Sequence, residues 1–155
     1  MKSQWIAWSA VSTALLAGCG GTADIRDADQ GLQAPDAKVA ILFTPREGVY
    51  DAKARSARFS GVDGKTIGTS MGGFPDVTRV TPGTHLFKVR CFDPRFWDPH
   101  KPSMAETFML FEATVEAGHF YELGCDMNAH AIDRGTSLES VKNLLHPDAV
   151  EKLRP

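Results

Sequence analysis

The chain has 155 residues, 43% hydrophobic and 23% charged, the composition of one ordinary globular domain. Its net charge of −2 excludes a general attraction to polyanions, so nucleic acid is not an expected partner.

In chain order, Met1-Lys2 gives a short positive start, and Trp5 to Ala17 is an uncharged apolar run. That run is too short to span a bilayer comfortably and has the shape of a secretory signal. It ends in Leu16-Ala17-Gly18-Cys19, which resembles the lipobox of bacterial lipoproteins. The small residues Ala17 and Gly18 suit a narrow peptidase cleft, and the Cys19 thiol is the group that accepts a diacylglyceryl unit. The resemblance implies cleavage after residue 18 and a mature terminus carrying several acyl chains such as palmitate. Gly20, in place of Asp, implies the outer membrane of a diderm bacterium, with the protein facing the periplasm. The alternatives are an uncleaved membrane anchor or an ordinary signal with a chance cysteine. One acyl chain holds a protein only marginally, whereas several make detachment rare.

Residues 19–37 are small, polar and without period, and read as a flexible tether of about 18 residues spanning roughly 20–25 Å. Residues 38–135 read as the folded domain. Lys38 to Thr44 is a strand with both faces apolar, hence central in its sheet. Ser56 to Val62 and Lys65 to Thr69 are joined by Asp63-Gly64, a strong hairpin signal. Strands follow at 77–80, 85–92, 106–115 and 119–125, with Met109, Phe111, Ala113 and Val115 as one apolar face. Asp126 to Gly135 is ambiguous. In residues 136–155, Thr136 and Glu139 fit a capping box, Leu138, Val141, Leu144 and Leu145 share one helical face, and Pro147 closes the helix. A further turn over Asp148 to Leu153 remains open.

His85-x5-Cys91 and His119-x5-Cys125 are parallel patterns on two strands. Period-two alternation puts each cysteine on the face of the larger apolar residues. If each turn reverses the chain, both strands run the same way and deliver their cysteines at one end. With Cys19 consumed by lipid, Cys91 and Cys125 are an even pair in an oxidising compartment, and a disulfide is favoured over two buried thiols. A metal site of His85, Cys91, His119 and Cys125 is disfavoured, since six strand residues span about 20 Å.

Other chemistry is thin. Cys125 and His130 lack a third orienting group for a nucleophile. Asp93, Asp98 and His100 in the proline-rich loop of residues 93–105 are more simply solvated than cation-binding. Phe96 and Trp97, with His100, anchor a partner if exposed or form a lid if buried, and burial is the favoured reading because adjacent aromatics are costly in water. No phosphate loop, nucleophile elbow or zinc motif occurs, so neither an enzyme nor a cofactor or metal is expected.

From Lys38 to Cys125 the turns Val62-Asp63-Gly64-Lys65-Thr66-Ile67-Gly68, Val80-Thr81-Pro82-Gly83-Thr84-His85 and Ala117-Gly118-His119-Phe120-Tyr121 resemble those of PEGA-type modules and other small lipoprotein β-domains. The long 93–105 loop and the two cysteines depart from that pattern. The expectation is therefore a mainly β protein. We expect an antiparallel β-sandwich of about seven strands with a short C-terminal helix, monomeric and held to the membrane through Cys19. Its expected role is structural or protein-binding, toward another envelope protein. The alternative is a periplasmic ligand-binding module using the 93–105 loop.

Overall fold

A computed structural model describes residues 23–29, 35–46, 55–96, 98–101, 105–126 and 128–154. Among them the chain is mainly β, in two sheets. The first holds β1 (Ile25–Asp27), β2 (Ala40–Phe43), β5 (Val77–Val80), β8 (Phe120–Cys125) and β9 (Ala129–Asp133), in the order β1-β5-β2-β8-β9. The second holds β3 (Ser56–Val62), β4 (Lys65–Thr66), β6 (Gly83–Phe92) and β7 (Glu106–Val115), in the order β4-β3-β6-β7. Two short helices follow, α1 (Leu138–Val141) and α2 (Pro147–Lys152).

The apolar first strand is central, as both its faces required. All four residues of β2 are buried, between antiparallel β5 and parallel β8. Asp63 and Gly64 have φ of 49° and 80°, the paired positive values of a tight hairpin, and they join β3 to β4. β6 and β7 pair antiparallel along all ten residues, and Phe87, Val89 and Cys91 alternate inward against Met109, Phe111, Ala113 and Val115. β3 carries an irregularity between Phe59 and Gly61. There the Ser60 carbonyl accepts from both Ile67 and Gly68 N–H groups. Gly61 sits against the neighbouring backbone, where a Cβ would lie 2.3 Å from the Lys65 carbonyl oxygen.

Three expectations are corrected. The described residues form nine strands where about seven were expected, and the five-stranded sheet is mixed, with β1 parallel to β5 and β2 parallel to β8. One added strand, β1, comes from the segment read as tether. Only Ile25 of its three residues favours a strand, and long-range contacts hold it: Asp24 N–H donates to Asp76, Asp76 and Val77 N–H groups donate to the Asp24 carbonyl, and Arg79 pairs with Asp27 at 3.3 Å. The other, β9, comes from the ambiguous stretch and pairs with β8. The capping box is also not formed. Ser137 stands at the N-cap without a side-chain bond, and Glu139 pairs with Lys142. Finally, Pro147 does not stop a helix but begins α2. Its missing N–H costs nothing in the first turn, and the His146 side chain accepts from Asp148 N–H.

Two apolar clusters result. One joins the sheets: Ala40, Leu42, Val80, Tyr121 and Leu123 from the five-stranded sheet meet Ala57, Phe59, Phe87, Val89 and Val115 from the four-stranded one. The other joins the opposite face of the five-stranded sheet to the C-terminal helices: Val39, Ile41, Phe43 and Phe120 meet Val141, Leu145, Ala149 and Leu153. Thus the apolar face read over Leu138, Val141, Leu144 and Leu145 does pack, although only Leu138 and Val141 lie on a helix, and Leu144 and Leu145 lie in the turn that follows it.

Phe87→Ala is expected to cost about 3–5 kcal/mol, because it empties a fully buried ring position. Gly61→Ala should also destabilise, by about 1–3 kcal/mol, through backbone displacement. Urea unfolding measures both, and a midpoint unchanged in either variant contradicts the packing described.

Candidate functional site

Cys91 is the inward residue near the end of β6, and Cys125 is the last residue of β8. Their sulfurs stand at disulfide distance with Cα atoms 5.8 Å apart, one in each sheet. Both strands thus deliver their cysteine at the same end, as the alternation and turn count required. The Met109 sulfur lies 3.7 Å from that of Cys91.

The loop after β6 starts here. Its ends are tied by Asp93 N–H donating to the Ala105 carbonyl. The Asp93 carboxylate takes Arg55 at 3.0 Å and Arg95 at 2.6 Å. Asp98 accepts from the His100 backbone N–H at 2.8 Å. These acids are committed to arginines and to the loop's own backbone. Phe96 is 60% exposed, with the Arg95 guanidinium 5.7 Å from its ring centre, so it is not a buried lid. The cation on its face and the short turn at residues 94–96 hold the ring outward. His100 is exposed as well. Trp97 and Cys19 lie outside the described residues. Phe96, Ala105, Met109 and the two cysteines line a hollow of about 160 Å³. That is below the roughly 300–1,000 Å³ of small-molecule sites.

The histidines serve local geometry. His85 Nδ1 is 2.6 Å from Asp63, and its Nε2 is 2.9 Å from the Thr81 carbonyl oxygen, bridging two turns. That bond and the Leu86 backbone N–H hold the Asp63 carboxyl below its ordinary range. His119 lies 3.0 Å from Asp133 and 3.6 Å from Glu116. Partial burial opposes ionisation of Asp133, but the Gly135 N–H and His119 together hold that carboxyl low. His130 Nδ1 is 3.0 Å from the Asn128 carbonyl oxygen. Among the described residues, no three His, Cys, Asp or Glu side chains gather as a metal site.

Two outer surfaces remain, and sequence reasoning singled out neither. On the four-stranded sheet, β6 and β7 turn Leu86, Phe108 and Leu110 outward at 44%, 51% and 63% exposure. Arg90 stands opposite Phe108 and Lys88 opposite Leu110, with the Lys88 ammonium 4.9 Å from the Phe108 ring centre. Arg90 pairs with Glu106. The apolar patch is thus rimmed by charge. The signal was present in the second parity of β7, where Phe108 and Leu110 alternate with the inward face. On the five-stranded sheet, a groove of about 860 Å³ opens where the helices stop, floored by Ile41 and Phe120 and flanked by Arg79 and Lys152. Arg79 is engaged with Asp27 and Asp36.

No protein-family model, no curated protein and no solved structure matches this chain.

Replacing both Cys91 and Cys125 by alanine is expected to lower stability by about 3–4 kcal/mol, from freeing a loop with a sequence separation of 34. Equal urea midpoints for oxidised wild type and the double variant would refute a bond that constrains the chain. For Asp63, the folded value is depressed. Its contribution is therefore present above the unfolded carboxylate range and lost as pH falls through the folded value. Asp63→Asn should accordingly lose less stability than wild type between neutral pH and pH about 3, measured by urea unfolding at each pH.

Proposed function

We propose that this chain is an envelope lipoprotein, anchored through Cys19 in the outer membrane and facing the periplasm. In this reading its two sheets stack as a sandwich, with Cys91 and Cys125 bonded. The domain binds another envelope protein through the outer face of the four-stranded sheet, with Phe96 and His100 as a second contact point beside Trp97. The observation that carries the binding role is the uncovered set of Leu86, Phe108 and Leu110 on β6 and β7, rimmed by Lys88, Arg90 and Glu112. Apolar patches rimmed by charge mark interaction surfaces more often than they mark plain surface. The stacking is supported by the apolar cluster that both sheets share, and the bond by the sulfur separation. The anchor is supported by the lipobox resemblance at Leu16 to Cys19. Ligand binding by the 93–105 loop is the weaker reading, because the hollow there is small. Catalysis by Cys125 with His130 is weaker still, since Cys125 has Cys91 as its neighbour rather than an imidazole.

Cys19→Ser is expected to abolish acylation and to leave a longer chain that retains residues 1–18, whereas the wild type begins at an acylated Cys19, read by intact mass and by labelling with a radioactive fatty acid. A photo-crosslinker at Leu110 should give one discrete adduct in intact cells, while one at the exposed Lys142 gives none. Adducts of equal yield at both positions would remove the β6–β7 face from consideration.

A further inference from the structure

Among the described residues the domain begins at Ala23, not near residue 38. Ala23 is 3% exposed and belongs to the cluster under the C-terminal helices. Lys152 Nζ donates to its carbonyl at 2.8 Å. The next residue is locked to Asp76 from both sides, and β1 follows in the sheet. Only Gly20 to Thr22 separate this fixed point from Cys19. Four residues of chain reach at most about 14 Å however they are arranged. The headgroup layer on one side of a bilayer is itself about 5–8 Å deep. A lipid-bearing Cys19 therefore leaves Ala23 less than about 10 Å above the headgroups. The 20–25 Å of clearance expected from a longer tether is not available.

The surface around Ala23 is thereby held close to the headgroups. Arg26 reaches from β1 to the turn of residues 69–73: its guanidinium donates to the carbonyls of Ile67 at 2.7 Å and Gly72 at 2.9 Å, while Asp24 holds it from the other side. The turn is closed by Thr69 N–H donating to Gly73 and by Gly72 N–H donating to the Thr69 hydroxyl. At its tip Met71 is fully exposed, the most exposed large apolar side chain of the described residues. Arg26, three residues past Ala23, thus ties the turn that presents this methionine to β1. A flexible thioether suits the interfacial layer, where it exchanges water for acyl chain. Lys152, whose ammonium donates to the Ala23 carbonyl, adds a cation beside this fixed point, of the sign that anionic headgroups attract.

We propose that this end of the domain, Ala23 with the Met71 turn and Lys152, is a lipid-docking surface that seats on the bilayer, with Met71 inserted at the interface. The inference rests on lipidation of Cys19, and it adds a fixed orientation of the domain to that reading.

The test uses the full lipidated chain, reconstituted in vesicles of phosphatidylethanolamine and phosphatidylglycerol. Met71→Cys, labelled with an environment-sensitive fluorophore, is compared with Glu112→Cys labelled alike. Each is quenched by lipids carrying a shallow nitroxide. The expected result is at least threefold stronger quenching at position 71 than at 112. Inserting a 15-residue Gly/Ser spacer between Thr22 and Ala23 should reduce the signal at 71 severalfold. Two outcomes overturn the docking surface while leaving the anchor standing: protein that floats with the vesicles but shows position 71 no more quenched than 112, or quenching at 71 that the spacer leaves unchanged. Protection of position 71 in native envelopes but not in lipid vesicles also overturns it, in favour of a protein neighbour. Protein that fails to float at all overturns the anchor, and the docking surface falls with it.

Discussion

The contact of one sheet with the other rests on a seam of side chains centred on Phe87. Its ring is fully buried, edge-on to Phe59 at 6.2 Å and tilted against Phe111 at 5.4 Å. Opposite it stand Leu42, Tyr121 and Leu123 of the five-stranded sheet. Hydrogen bonds organise each sheet internally but do not bring two sheets together. Burial does that, at about 1.5–3 kcal/mol for each large apolar side chain withdrawn from water. Cys91 and Cys125, at disulfide distance, bring the two sheets together at one end of the seam, and the His85 bridge between Asp63 and Thr81 adds a polar tie elsewhere on the same strand.

The two sheets are treated differently on their outward faces. The five-stranded sheet is covered by α1, α2 and the turn between them, which bury Val141, Ala149 and Leu145 on it. Among the described residues nothing covers the outer face of the four-stranded sheet, where Leu86, Phe108 and Leu110 stand exposed with Lys88 and Arg90 beside them. The proposed binding role rests on that asymmetry, while the covered face buries apolar side chains and holds Ala23, just before β1, through Lys152.

Much of this was legible in the residues because it depended on alternation. The central position of β2, the hairpin at Asp63-Gly64, and the common face of Phe87, Val89 and Cys91 all follow from period two and turn chemistry. The proximity of the cysteines followed as well, since parity and chain direction decide which end they reach. What was not legible depended on distant partners. Ile25–Asp27 is three residues with one strand former among them, and its pairing with β5, fixed by Asp76 and Arg79, makes it a strand. The exposure of Phe96 turned on the arginine beside it, which residue hydrophobicity alone does not weigh. Pro147 read as a stop because proline ends helices in general, yet after a short α1 it opened the next one.

The parallel pairing of β2 with β8 carries a consequence for how the molecule comes into being. Ile41 lies beside Phe120 and Phe43 beside Glu122, so the middle of the five-stranded sheet joins an early segment to a late one. Until that late segment arrives, β2 has one neighbour and an open backbone edge. Such long-range closure is slow, because the chain entropy is lost before the contacts compensate it. A nascent copy therefore remains unfinished through most of its length, a state in which it can still be threaded through a narrow passage.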